Sequence, residues 1–295
     1  MCTAITYKTQ DSYFGRNLDL EFSYGECVTV MPRRFILPLR HLTPLKNHHA
    51  VIGMAHIRDG FPLFYDGVNE HGLSAAGLRF TDSAPYALAS TDKINVASFE
   101  FIPYILSTCA SLKDVRELIS DLNITTTDYS SDLPDEPLHW MIADRHQSAV
   151  LEQSKNGLEL FDNPVGVMTN NPSFDKMMQT TFSDLPGGLS STERFVRAVN
   201  VKNSSVSGTS EAESISQFFH ILGAVTQPRG MNKADNGAFE ITVYSSCMNI
   251  DKGIYYYKTY ENSRITAIDL KNTDLDASEL TTFPLYTAQD IRRVN

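Results

Sequence analysis

The 295-residue sequence predicts an α+β fold in which antiparallel sheets carry helices on their outer faces, and three observations support this. Apolar runs of strand length and amphipathic runs of helix length come in blocks, in the order strands, helices, strands, helices, strands. Strand-like runs within a block are joined by short turn segments, which suits antiparallel neighbours, because parallel ones need a long crossover. The helical patterns arrive in pairs, which places them on a sheet face and not between successive strands. The sequence has no internal repeat and no low-complexity tract, and its length is compatible with one large domain or two ordinary ones.

The first block holds runs at 2–7, 13–18, 26–30, 50–57 and 73–80, each bounded by turn residues. A largely apolar helical stretch at 96–109 follows, then a cleaner amphipathic pattern of Leu112, Val115, Leu118, Ile119 and Leu122, with Ser111 and Asp114 at the spacing of a helix start. Strands return at 138–143, 149–153, 158–161 and 165–169. Two further helices are expected at 191–201, where Ser190 and Glu193 have capping-box spacing, and at 211–225, with a Ser-, Gly- and Thr-rich surface loop near 203–213. Three strands close the chain at 241–248, 253–260 and 265–270.

A net charge of -10 argues against nucleic acid or an anionic membrane as the main partner, since both select basic surfaces. No apolar run reaches the roughly 20 residues that span a bilayer, and no charged-then-apolar leader opens the sequence, so a cytoplasmic protein is the simplest expectation. Cys2, Cys27, Cys109 and Cys247 are widely spaced with no Cys-x-x-Cys pair. That is a poor framework for a metal or for disulfides, so no metal and no cofactor are expected, and Cys27, Cys109 and Cys247 read as small buried hydrophobes.

Cys2 differs because of its position. Once Met1 is removed, it carries a thiol and a free α-amine on one residue, and the amine, with an ordinary pKa of about 7.7 to 8.0, can take the thiol proton. If residues 8–12 form the loop of the first hairpin, Tyr7 pairs with Tyr13 and Cys2 lies opposite Leu18. Arg16 is then a diagonal neighbour of Cys2 on the same face, where a guanidinium favours the thiolate. Asp19 would point the other way in a regular strand; a bend after Leu18 would let it orient the amine.

These residues belong to a set of strings that resembles the choloylglycine hydrolase family, the bile salt hydrolases and penicillin V acylases of the N-terminal nucleophile superfamily. The strings are Met1-Cys2-Thr3, Phe14-Gly15-Arg16-Asn17-Leu18-Asp19, Asp66-Gly67-Val68-Asn69-Glu70-His71-Gly72-Leu73, Asn95-Val96-Ala97-Ser98-Phe99-Glu100-Phe101, Leu138-His139-Trp140-Met141, Met168-Thr169-Asn170-Asn171-Pro172 and Tyr244-Ser245-Ser246-Cys247-Met248, with Lys252-Gly253-Ile254-Tyr255-Tyr256-Tyr257 near the end. The resemblance implies a single domain over residues 1–295, a four-layer αββα sandwich with two antiparallel sheets between helix layers. It implies Cys2 as nucleophile with its own amine as base, tuned and held by Arg16 and Asp19. Asn170, with a backbone N–H near residue 79, becomes the oxyanion donor, and Arg194 a second active-site arginine. The implied reaction is amide hydrolysis through a thioester, and the implied substrates are small-molecule conjugated bile salts.

Three departures from the family pattern matter. Arg79 stands where bile salt hydrolases have asparagine, and Arg58 occupies a pocket-loop position that is often apolar; both are expected to pair with the carboxylate or sulfonate of the leaving amino acid. Leu18, Phe61 and Leu138 are the expected apolar contacts of the substrate. The stretch 176–190 is short against the family's assembly loop, which weakens the expectation of a homo-oligomer. A penicillin V acylase or an N-acyl-homoserine-lactone acylase would use the same residues, and a catalytically silent amphiphile-binding protein that keeps Met1 is the alternative of another class.

Overall fold

The computed structural model describes residues 1–180, 187–234 and 236–295. In chain order the strands before the first helices are β1 (Cys2–Lys8), β2 (Ser12–Leu20), β3 (Cys27–Met31), β4 (Val51–Arg58), β5 (Phe61–Asn69), β6 (Ser74–Arg79) and β7 (Ile94–Ala97). Helices α1 (Phe101–Thr108) and α2 (Leu112–Ile119) lead to β8 (Leu122–Thr125), β9 (Leu138–Ala143), β10 (Ser148–Ser154), β11 (Gly157–Asp162) and β12 (Val167–Met168). The short α3 (Phe174–Met177), then α4 (Ser191–Ser204) and α5 (Glu211–Gly223), precede β13 (Ile241–Asn249), β14 (Ile254–Thr259), β15 (Thr266–Asp269) and β16 (Thr281–Pro284).

Two antiparallel sheets result, a six-stranded one in the order β12-β1-β2-β13-β14-β15 and an eight-stranded one in the order β11-β10-β9-β6-β5-β4-β3-β16. Helices α4 and α5 pack on the first, α1 on the second with α2 against its β11 edge, so the layers run helix, sheet, sheet, helix. The alternation along the strands explains why. On β9, Met141 and Ala143 enter the cluster between the sheets while Trp140 and Ile142 enter the cluster under α1 and α2, and β6 does the same with Ala76 and Leu78 against Ala75. Both faces of these central strands are therefore buried.

The first hairpin has the expected register, Tyr7 opposite Tyr13 and Cys2 opposite Leu18. The side chains of Ser111 and Ser190 accept from the backbone N–H groups of Asp114 and Glu193, which start α2 and α4 where the sequence placed them. Other expectations need correction. The run 165–169 yields only a two-residue strand, since Pro164 and Gly166 precede it and Pro172 follows. The strand β5 and the late β16, which pairs with β3, were not expected, and β7 and β8 form a small parallel pair outside the antiparallel scheme. Of the 176–190 stretch that bears on assembly, residues 181–186 lie outside the described residues.

Candidate active site

Cys2 opens β1 and Arg16 and Asp19 lie on β2, adjacent interior strands of the six-stranded sheet. Every residue of β2 from Ser12 to Asp19 is buried, because one face meets the second sheet and the other meets the helices. Gly15 permits this closeness: a Cβ there would overlap the backbone carbonyl of Ser246 on β13. The bend expected after Leu18 is found on the neighbouring strand instead. The β13–β2 register shifts between Thr242 and Tyr244, opposite Asp19 and Leu18.

Arg16 is fully buried. Its Nη1 donates to the carbonyls of Tyr65 at 3.1 Å and Gly77 at 2.6 Å, its Nε donates to Asn17 O at 3.4 Å, and its Nη2 is buried without a partner. Asp19 accepts from the Thr242 hydroxyl at 2.6 Å through Oδ1, whereas Oδ2 is unpartnered. Burial pushes the Asp19 carboxyl up to about 6, against the pull of Arg194, the N-terminal ammonium and Arg16.

Asn170, in the turn after β12, gathers the rest. Its Oδ1 accepts from the Cys2 backbone N–H at 2.7 Å and from Arg194 Nη2 at 2.9 Å, and its Nδ2 donates to Arg79 O at 2.8 Å. With the oxygen fixed by two donors, the side-chain orientation is determined, and the second N–H of Nδ2 stays free for an acceptor. Arg194, on α4 and buried, donates through Nη1 to Cys2 O and to Thr3 Oγ1 at 2.7 Å. Cys2 here is an internal residue: the Met1 ammonium donates to Asp19 O at 2.9 Å and to Glu240 Oε1 at 3.2 Å, and the Cys2 nitrogen is an amide without basicity.

The structure thus brings Cys2, Arg16, Asp19, Asn170, Arg194 and Leu18 together. The side chains of the other expected residues lie outside this group, although the Arg79 carbonyl accepts from Asn170. Arg79 is 69% exposed and pairs with Glu136 at 3.5 Å, opposite Leu138 on β9. Arg58 pairs with Asp132 at 2.8 Å, opposite Phe61, and Phe61 packs on Phe99 and Tyr129 within the outer core cluster, away from the cluster that holds Cys2. Sequence reasoning did not find Glu136 and Asp132, which sit in a polar segment with no periodic signal. It also missed the exposed rings of Phe22 and Tyr24, 4.8 Å apart in the loop that leaves β2. His49, Glu70 and His71 place ligand-type atoms within 4.8 Å of one another, but the Glu70 oxygens already accept from Arg33 and from Ala50 N–H, and the two imidazoles meet each other at 3.1 Å.

A buried cysteine at the head of an interior strand, facing an arginine, an aspartate and an amide donor within a two-sheet sandwich, has the layout of an enzyme that opens linear amides. The chain belongs to the choloylglycine hydrolase family of linear amide C–N hydrolases, whose profile matches residues 2–184 and 179–283. It is 43% identical to the bile salt hydrolase/transferase of Lactiplantibacillus plantarum and 33% identical to that of Clostridium perfringens, each alignment covering all of both chains. Among solved structures it matches a mutant of the conjugated bile acid hydrolase from Clostridium perfringens with a TM-score of 0.92 at 32% identity over the whole of both chains. A penicillin V acylase from Agrobacterium tumefaciens shares the fold, with a TM-score of 0.81 at 21% identity over 97% of this chain and 92% of that one. No described helix is long and apolar enough to cross a membrane.

Proposed function

We propose that the protein hydrolyses the amide bond of glycine- or taurine-conjugated bile acids, with Cys2 as nucleophile after Met1 is removed. The observation that carries this reading is the convergence of Cys2, Asn170 and Arg194 on one hydrogen-bonded group in a chain similar from end to end to bile salt hydrolases. The freed α-amine accepts the thiol proton as sulfur attacks the amide carbonyl. The free N–H of Asn170, with a backbone N–H near residue 79, supports the developing oxyanion. The ammonium then returns its proton to the departing nitrogen as the C–N bond breaks and a thioester remains. Water, deprotonated by the same amine, attacks the thioester and releases the bile acid and the thiol. Arg194 and Asp19 hold the backbone of the first residues so that the amine and thiol stay on the carbonyl's side.

At the rim, the exposed Phe22 and Tyr24 and the half-buried Leu138 offer apolar area to a steroid, with Leu18 opposite Cys2, whereas Phe61 lies in the outer core cluster and is left out of that surface. Arg79 and Arg58 exchange their carboxylate partners for the anion of the leaving group; such exposed pairs are held by at most about 1 kcal/mol each. The test is release of free taurine or glycine from taurocholate and glycocholate beside phenoxyacetate release from penicillin V, using protein shown by intact mass to begin at Cys2. Hydrolysis of the bile salts with at least tenfold preference over penicillin V is expected; the reverse preference would overturn the substrate assignment.

A further inference from the structure

Beneath Arg16 lies a group of buried polar side chains that the proposed reaction does not use. The three carbonyls that Arg16 faces are neutral and leave its charge uncompensated in a dry interior. Across the gap between the sheets stands Asp66 of β5, fully buried, next in sequence to the Tyr65 whose carbonyl Arg16 grips. Three hydroxyls converge on its two oxygens: Tyr244 at 2.8 Å and Ser246 at 3.2 Å, both from β13, on Oδ2, and Tyr255 of β14 at 2.7 Å on Oδ1. Ser246 Oγ in turn accepts the Arg16 backbone N–H at 3.2 Å. Burial pushes the Asp66 carboxyl up, while Arg16 and the three hydroxyl donors pull it back towards the carboxylate; burial also keeps both phenols protonated, so they remain donors.

We propose that Asp66 is a positioning residue that acts through Arg16 to set the charge balance at Cys2, a role that rests on Cys2 being the nucleophile. The groups sharing this interior are Cys2 from β1, Arg16 and Asp19 from β2, Tyr65 from β5, Arg194 from α4, Tyr244 and Ser246 from β13 and Tyr255 from β14. An uncompensated guanidinium would draw the protons off both thiol and amine too readily, and a thiolate that forms too easily is a weaker nucleophile. Asp66 offsets that pull from the far side of Arg16 while its hydroxyl cage joins the two sheets directly under the site.

The test follows alkylation of Cys2 by iodoacetamide against pH in protein that begins at Cys2, read by mass of the N-terminal peptide, alongside taurocholate hydrolysis and thermal melting. Asp66→Asn keeps the shape, and its amide can be met by rotated hydroxyls. Its alkylation midpoint is expected about one pH unit lower than in the unchanged protein, and Tyr255→Phe, which removes a donor that favours the carboxylate and so shifts Asp66 towards its neutral acid, is expected to move it the same way by less. A midpoint that stays in place in both folded variants, with only the melting temperature lowered, would reduce Asp66 to a structural residue and overturn the proposal. Hydrolysis that survives full alkylation of Cys2 would instead remove the nucleophile reading itself.

Discussion

A single amide side chain links three segments of the site, and its loss can be separated from unfolding. Asn170 contacts the start of β1, the α4 arginine and the end of β6 from a turn at the surface of the sandwich. Asn170→Ala is expected to lower kcat by about a hundred- to a thousandfold, the worth of one oriented oxyanion donor, with circular dichroism unchanged. Asp19 offers a test through pH. Its folded pKa of about 6 lies above the ordinary value of 3.8, so the folded state binds its proton more tightly than the unfolded chain does. The stability this contributes is fully present below about pH 4 and is lost as pH rises through 6, an effect of order 2 to 3 kcal/mol. Asp19→Asn is therefore expected to melt higher than the unchanged protein at pH 7.5, with the gap closing towards pH 4, while its hydrolytic rate falls. Equal melting curves at both pH values would show that Asp19 carries no such cost.

Among the elements, β2 bears the tightest constraint. Gly15→Ala is expected to destabilise by about 3 kcal/mol or more, since the added methyl meets β13 backbone and neither strand has room to move; urea unfolding measures it. Ser111→Ala, at the start of α2, should cost about 1 kcal/mol by the same measurement. The elements that could be read from the sequence are those whose signals are local: the hairpin register that put Arg16 diagonal to Cys2, and the serine caps of α2 and α4. Those that could not be read depend on distant partners. The edge strand β16 exists because β3 has an open side, and the β13 bulge opposite Asp19 lies more than two hundred residues away from it in sequence. The same limit applies at the site. Cys2, Arg16 and Asp19 were visible as one hairpin, whereas the convergence of Asn170 and Arg194 needed the resemblance, and the carboxylates that hold Arg79 and Arg58 needed the fold.

For the molecule as a whole, the proposed reaction makes cleavage of the N-terminal peptide bond the condition for chemistry to begin. With Met1 attached, its ammonium occupies Asp19 O and Glu240 and the Cys2 nitrogen has no basicity. A preparation separated by intact mass is expected to show activity only in the fraction lacking Met1; equal turnover in both fractions would exclude the amine as base. A second consequence comes from the burial of β2. A strand with water on neither side has no position at which a change can be absorbed quietly, so the hairpin is locked, and latitude for drift is left to the exposed and half-buried connections at 21–25, 59–60 and 128–137. Selection for new acyl or amine preferences in a mutant library should accordingly return replacements in those three connections and leave the central hairpin untouched.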